Sequence, residues 1–392
     1  MYDVFDVRKD FPILEKIIYL DNGATTQTPK PAIDAMLSYF YDYAANYGRG
    51  AHQLSIKSTN AFEDARETVA DFLNVPPENM IMTKNTTEGI NIAAAGLGFE
   101  KGDHIITSLA EHHSNIVPWL SKKEKGVFVS VADIDSCGFI DPSQIEDMIT
   151  DQTKLIAVNH ISNVFGAVQN VSEIIRIAHK NNIKVLIDGA QSAGHIPLDL
   201  KKLGCDFFAA AGHKGLLGPQ GTGILYIKNP DEIAPTSLGG GTTAECDGVC
   251  YTTKSSPDCF EAGTPNLPGV IGLGAAVNYI QKLGISNIEK HETDLAKFTA
   301  KRLEEIGGAE VYGPDNRAGL VSFNISEMEP HTVAMLLDKY KNICVRSGYH
   351  CAMPGLKSLG IKGAVRASFA LYNTWEEVDV FVETVEEIVK NG

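Results

Sequence analysis

Residues 184–191 read KVLIDGAQ, and residues 206–223 read DFFAAAGHKGLLGPQGTG. Each stretch begins as a short apolar run and ends in a glycine-containing turn with polar residues: Asp188 and Gln191 in the first, His213 and Lys214 in the second. Runs that are apolar throughout, rather than alternating, belong to strands buried on both faces. In an open parallel sheet, ligands sit at the carboxyl ends of such strands. These turns therefore mark a candidate site as well as a fold. Working outward, the runs at 80–83, 104–108, 127–131, 155–159, 184–187, 206–210 and 223–227 are expected strands. Stretches at 87–95, 143–149 and 173–181 have helical period, and the alternation predicts an α/β protein with a mostly parallel sheet. Asp141, Pro142 and Gln144 supply an N-cap, a first-turn proline and a capping box for the middle helix.

From about Gly269 the character changes. Long helices are expected over 267–308, then a strand at 320–324 and helices at 330–340 and 375–390. This divides the chain into a large domain over 16–268 and a smaller α+β domain made of 1–15 and 269–392. The stretch 239–257 is expected to be loop-like, with a hairpin-like segment carrying Cys246 and Cys250. The 34 Lys and Arg against 49 Asp and Glu give a net charge of −15, which argues against a nucleic-acid or anionic-membrane partner. There is no signal-peptide pattern and no run of the roughly 18 apolar residues that would span a bilayer, so a soluble, cytoplasmic protein is expected. Seven cysteines, an odd number spread over a long chain, do not form a secreted disulfide framework.

The residues after each expected strand carry the chemistry. Thr86 and Thr87 open a helix after 80–83, and hydroxyls with free backbone N–H groups there make a phosphate cradle, although ordinary N-caps look the same. Asp188 puts a carboxylate at the rim of an apolar strand, where it needs a cation such as a protonated ring nitrogen or serves as a helix cap. Lys214, 26 residues on, lies between an apolar strand and a glycine-dense turn. Partial desolvation there would lower its pKa and suit covalent capture of a carbonyl. In Glu111-His112-His113-Ser114-Asn115 an imidazole is placed to lie against a cofactor ring and to move protons near neutral pH. No HExxH or CxxC spacing occurs, and no metal site is expected. In the segment Val345 to Pro354, Arg346 and His350 flank Cys351 and are expected to stabilise its thiolate, whereas Cys344 in an apolar stretch is expected in the core. Arg366 inside a strand-like run needs an anion, either a substrate α-carboxylate or an internal carboxylate.

Taken in order, LDNGATT from Leu20, EHHSNIVPW, IDGAQ, GHK, FEAGTPN, RSGYHCAMP and RASFALYN ending at Asn373 resemble the class V aminotransferase-fold enzymes. Within them the chain is most similar to the SufS-like cysteine desulfurases and selenocysteine lyases. The resemblance implies an aspartate aminotransferase-like, fold type I architecture with pyridoxal 5'-phosphate (PLP) as cofactor. It implies that Lys214 links covalently to the cofactor, Asp188 pairs with the ring nitrogen, and His112 stacks on the ring. It further implies that Asn163 and Gln191 bond the ring oxygen or substrate, and that Thr86, Thr87 and His213 hold the phosphate. Thr264 would reach the phosphate of a neighbouring subunit, Arg49 would line the partner's site, and Arg366, with Arg346, would bind substrate.

Cys351 matches the family nucleophile, which takes sulfur from L-cysteine as a persulfide and leaves alanine. A homodimer with shared active sites follows, as does a sulfur-acceptor protein of SufE, SufU or scaffold type serving iron–sulfur cluster or other sulfur-cofactor assembly. L-Selenocysteine is the alternative substrate, and an inactive scaffold that binds a sulfur-transfer partner is the alternative from another class. Ala211 stands where many relatives have a phosphate-binding serine, and Gly48 and Cys259 also depart from the common pattern. Cys246, Cys250 and Cys259 have no assigned role.

Overall fold

The computed structural model describes residues 2–48 and 50–391. Its first strand, β1 (Ile18–Tyr19), is followed by the strands of a seven-stranded sheet. These are β2 (Met80–Thr83), β3 (His104–Ser108), β4 (Phe128–Ala132), β5 (Thr153–Asn159), β6 (Lys184–Asp188), β7 (Phe207–Ala211) and β8 (Gly223–Ile227), in the order β2-β8-β7-β6-β5-β3-β4. Only β8 runs against its neighbours. The expected strands are all present with edges shifted by at most two residues, and Asp188 is the last residue of β6 rather than the first of the turn.

The unbroken apolar runs are explained by cover on both faces. Ile156, Val158, Val185, Ile187, Phe208 and Ala210 pack into a core with Ile174, Ala178 and Leu200. Their neighbours Leu155, Ala157, Leu186, Phe207 and Ala209 pack on the other side with Ile90, Ala93 and Trp119. Each fully buried Val, Ile or Leu is worth about 1.5–3 kcal/mol. Asp141 caps the helix Pro142–Asp147 by accepting from Ser143 N at 2.9 Å. The reciprocal half of the expected box is missing, because Gln144 Oε1 is buried without a partner.

The stretch expected to be loop-like contains an exposed antiparallel hairpin, β9 (Thr243–Cys246) and β10 (Tyr251–Thr253). It has no apolar face to place its strands, and its turn is closed by Asp247 Oδ1 accepting from the backbones of Val249 and Cys250. Cys246 and Cys250 are exposed on this hairpin while Cys259 is buried, and all seven cysteines are free.

Beyond the helix Leu267–Leu283, whose Leu273 and Val277 join the core under the larger sheet, lie β11 (Ala309–Tyr312), β12 (Leu320–Ile325), β13 (Ile343–Cys344), β14 (Arg346–Gly348) and β15 (Ala364–Ser368). β13 pairs with β1, so Cys344 is only partly buried at a two-stranded edge rather than in the core. The others form an antiparallel sheet in the order β11-β12-β15-β14, backed by the helices Ile285–Glu304, Pro330–Lys341 and Trp375–Asn391. The segment after β1 stitches the two sheets together. Gly23 N donates to Ser368 Oγ at 2.7 Å, Asn22 Nδ2 to Ser368 O at 2.6 Å, and Thr26 N to His213 O at 2.9 Å. Among the described residues no helix is long and apolar enough to cross a membrane.

Candidate active site

The turns after β2, β3, β5, β6 and β7 open into one cleft of about 290 Å3, closed from the other side by β14 and β15. Of the residues singled out from sequence, Thr86, Thr87, His112, Asn163, Asp188, Gln191, His213, Lys214, Arg346 and Arg366 all line it. Thr264 does not. It lies in a separate recess with Tyr47, Gly48, Gly240 and Gly241, on a segment anchored by the bidentate pair of Arg66 with Glu261 at 2.5 and 2.9 Å. Arg49 lies outside the described residues. Cys351 is partly exposed beside His350, which lines the cleft.

At one end of the cleft the helix Thr86–Gly96 presents its N-terminus, where free N–H groups and the helix dipole favour an anion. Thr86 Oγ1 and His213 Nδ1 are buried there without a protein partner. Thr87 Oγ1 meets the Ser114 hydroxyl at 2.7 Å, so Ser114 adds a hydroxyl that the sequence reading did not assign. On the floor, burial raises the pKa of Asp188. The carboxylate accepts from Ala190 N at 2.9 Å and has no salt-bridge partner among the described residues. Lys214 lines the cleft, and desolvation lowers its pKa from 10.5 to about 8 against the opposing pull of Asp188.

His112 is held by its own turn, with Nδ1 accepting from Ser114 N at 3.1 Å. The proton of the neutral ring therefore sits on Nε2. Burial and the nearby Lys214 depress its pKa to about 3. Its ring is a neutral imidazole whose titration lies well below the neutral range expected from sequence. The same correction applies to His350. Burial, with Arg366, lowers its pKa to about 3 and its Nε2 donates to Ala364 O at 2.9 Å, so it offers Cys351 no positive charge. That leaves Arg346.

Arg366 sits on β15 directly opposite Arg346 on β14. Like charges in register repel unless an anion lies between or beside them. Arg366 bonds Asp21 Oδ1 at 3.2 Å and Asn163 O at 2.8 Å, while its Nε is buried and unpaired. Gly23 makes room for this guanidinium, since a Cβ there would stand 3.0 Å from Arg366 Cζ. Asp21 is thus the internal carboxylate, and Arg366 keeps Nε without a protein partner beside it.

Asp21, Asn159 and Glu111 were not singled out from sequence. Glu111 is fully buried, and desolvation raises its pKa to about 8. Ser108 Oγ and Asn115 Nδ2 donate to it at 2.6 Å, and Asn159 Nδ2 donates at 3.2 Å. The signal for Glu111 was a charged residue beginning a run of polar residues three positions after the end of a strand.

An anion cradle, a lysine with a free-base form near neutral pH, a carboxylate without a cation and an unfilled arginine fork fit PLP bound with an α-amino acid. The donors left unpaired are those such a pair would occupy. Comparison with known proteins supports that fit. The model of the family "Aminotransferase class-V" matches residues 18–381. A probable cysteine desulfurase of Methanothermobacter thermautotrophicus is 47% identical over 99% of this chain and 98% of its own length. A cysteine desulfurase of Escherichia coli is 39% identical over 99% and 98%. The apo structure of the cysteine desulfurase from Thermococcus onnurineus superposes with a TM-score of 0.97 at 44% identity, covering 100% of this chain and 99% of that one.

Proposed function

We propose, from the premise that the chain belongs to the class-V aminotransferase family, that it is a PLP-dependent L-cysteine desulfurase serving sulfur-cofactor assembly. The observation that carries this reading is the convergence of Lys214, Asp188 and Arg366 on one cleft with the Cys351 turn at its rim. PLP, when bound, supplies an electron sink conjugated with the substrate α-carbon. Thr86, Thr87, His213 and the helix N-terminus would hold its phosphate, Asp188 would hold the ring nitrogen protonated, and His112 would cover the ring. Lys214 would hold the cofactor covalently and, once released by substrate, move the α-proton.

Arg366 would take the substrate carboxylate in its remaining donors and fix the side chain toward Cys351. The Cys351 thiolate attacks the substrate sulfur: an S–S bond forms, the substrate C–S bond breaks with its pair staying on carbon, and a proton taken up there gives alanine. The persulfide then passes to an acceptor of SufE, SufU or scaffold type. Thr264, outside its own chain's cleft, fits a homodimer in which it serves the neighbouring site. Ile33, Leu37, Phe40 and Tyr41, exposed along one helix and the turn after it, offer an apolar face for that contact.

The test is incubation of the purified, PLP-loaded protein with L-cysteine and a reducing acceptor, following alanine and sulfide. Stoichiometric alanine and sulfide are expected. A protein that takes up no PLP, or turns over L-selenocysteine but not L-cysteine, would overturn the reading.

A further inference from the structure

His350 and Cys351 are consecutive non-glycine residues in the left-handed region, with φ of +50° and +57°. Side chains disfavour that conformation, so such a pair persists only where its surroundings fix it. Two hydrogen bonds from across the cleft do so. Asn163 Nδ2 donates to the carbonyl of His350 at 2.8 Å, and the backbone N–H of His113 donates to the carbonyl of Cys351 at 2.7 Å. Asn163 is also tied to the substrate side of the cleft, because its own carbonyl accepts from Arg366 at 2.8 Å.

We propose that Asn163 is a positioning residue for the nucleophile: its side-chain amide holds the left-handed turn that presents Cys351, and its backbone ties that turn to the arginine that receives the substrate carboxylate. Sequence resemblance had directed this amide to the cofactor ring or substrate. In the structure its nitrogen donates to the peptide that joins His350 to Cys351, and Asn163 also lines the cleft. One residue thereby fixes the distance between the substrate's carboxylate anchor and the attacking sulfur. A displaced turn would misplace the attack while the groups lining the cleft stay in place. Misplacements of about 1 Å can cost about 100-fold in rate.

This inference rests on Cys351 being the sulfur-accepting nucleophile, and its test separates the two claims. In the PLP-loaded protein, Asn163→Asp keeps the side chain's shape but replaces the donor with an acceptor, and Asn163→Ala removes it. Three measurements are compared with wild type: the cofactor's visible spectrum and its titration with L-cysteine, the single-turnover rate of persulfide formation by mass spectrometry, and the alkylation rate of Cys351 by iodoacetamide without substrate.

Both variants are expected to keep the spectrum and a half-saturation within about twofold, to form persulfide at least tenfold more slowly, and to change Cys351 alkylation severalfold while exposed Cys246 and Cys250 react as before. A shifted spectrum or weakened cofactor retention with an unaltered persulfide rate would make Asn163 a cofactor contact and overturn the proposal. Unchanged alkylation and transfer rates would overturn it too. If wild type forms no persulfide while Cys351 alkylation still responds to Asn163→Asp, positioning stands and the desulfurase reading falls.

Discussion

Lys214→Met, studied in cofactor-free protein across pH, isolates the electrostatic state of the residue on which the chemistry depends. Desolvation takes the Lys214 pKa from 10.5 to about 8. At pH 7.5 this leaves about a quarter of the amine as free base, against about one part in a thousand for an ordinary lysine. The same shift carries a stability cost, because the unfolded chain binds the proton more tightly than the folded one. From 10.5 to about 8, at about 1.36 kcal/mol per pH unit, the cost is about 3 kcal/mol. It is fully present below pH 8, shrinks as pH rises through the window between the two values, and is gone above about 10.5. The methionine variant should therefore exceed wild type in urea stability by about 3 kcal/mol at pH 7, by about 2 kcal/mol at pH 9 and by less than about 1 kcal/mol near pH 10.5. Denaturation midpoints of both proteins, stripped of cofactor and measured over this series, give the difference directly. A gain that does not decline with pH would refute the inference that Lys214 is held as a desolvated amine.

Glu111→Gln should behave in the opposite pH sense. With its pKa raised to about 8 by burial, Glu111 loses stability for the fold as pH climbs from about 4.5 to 8, so the variant's advantage should grow by about 3–5 kcal/mol across that window. Chemical denaturation at pH 5 and pH 8 checks it, and an equal effect at both pH values would contradict it. Arg366→Lys keeps the charge but loses the planar fork that serves Asp21 and Asn163 and would take a substrate carboxylate. Its KM for L-cysteine should rise at least about tenfold, equivalent to about 1.4 kcal/mol, with the cofactor spectrum retained; an unchanged KM would move carboxylate binding elsewhere. Asp188→Asn should retain PLP through Lys214 and the phosphate cradle yet lose alanine formation by about 100-fold or more, since the ring nitrogen no longer faces a carboxylate. Steady-state turnover measures this.

What could be read from the chain alone was whatever has a short sequence span. KVLID and DFFAA declared buried strands because both faces are covered, and the polar residues at their carboxyl ends marked the cleft through a rule of parallel sheets. The segment carrying Cys246 and Cys250 reads as loop-like with a hairpin-like part, but its two strands could not be placed because strands exposed on both sides have no apolar period to betray them. The protonation of His112 and His350 was equally hidden. Each imidazole is pushed to about 3 chiefly by burial that segments far apart in sequence create. Asp21 could not be paired with Arg366 beforehand, as 345 residues separate them and only the stitching of the post-β1 segment to Ser368 brings them together. Asn163 belongs with these. Its grip on the Cys351 turn spans 187 residues and depends on a left-handed backbone that no residue type there announces.

The central claim is that the sulfur of L-cysteine passes to Cys351. It is tested most directly by a single turnover of the PLP-loaded protein with L-cysteine in the absence of acceptor, followed by peptide mass spectrometry under non-reducing conditions. The account predicts one extra sulfur atom on the peptide containing Cys351, one equivalent of alanine per site, and neither in Cys351→Ser. Extra sulfur on Cys246 or Cys250 in place of Cys351, or full alanine formation by Cys351→Ser, would contradict it.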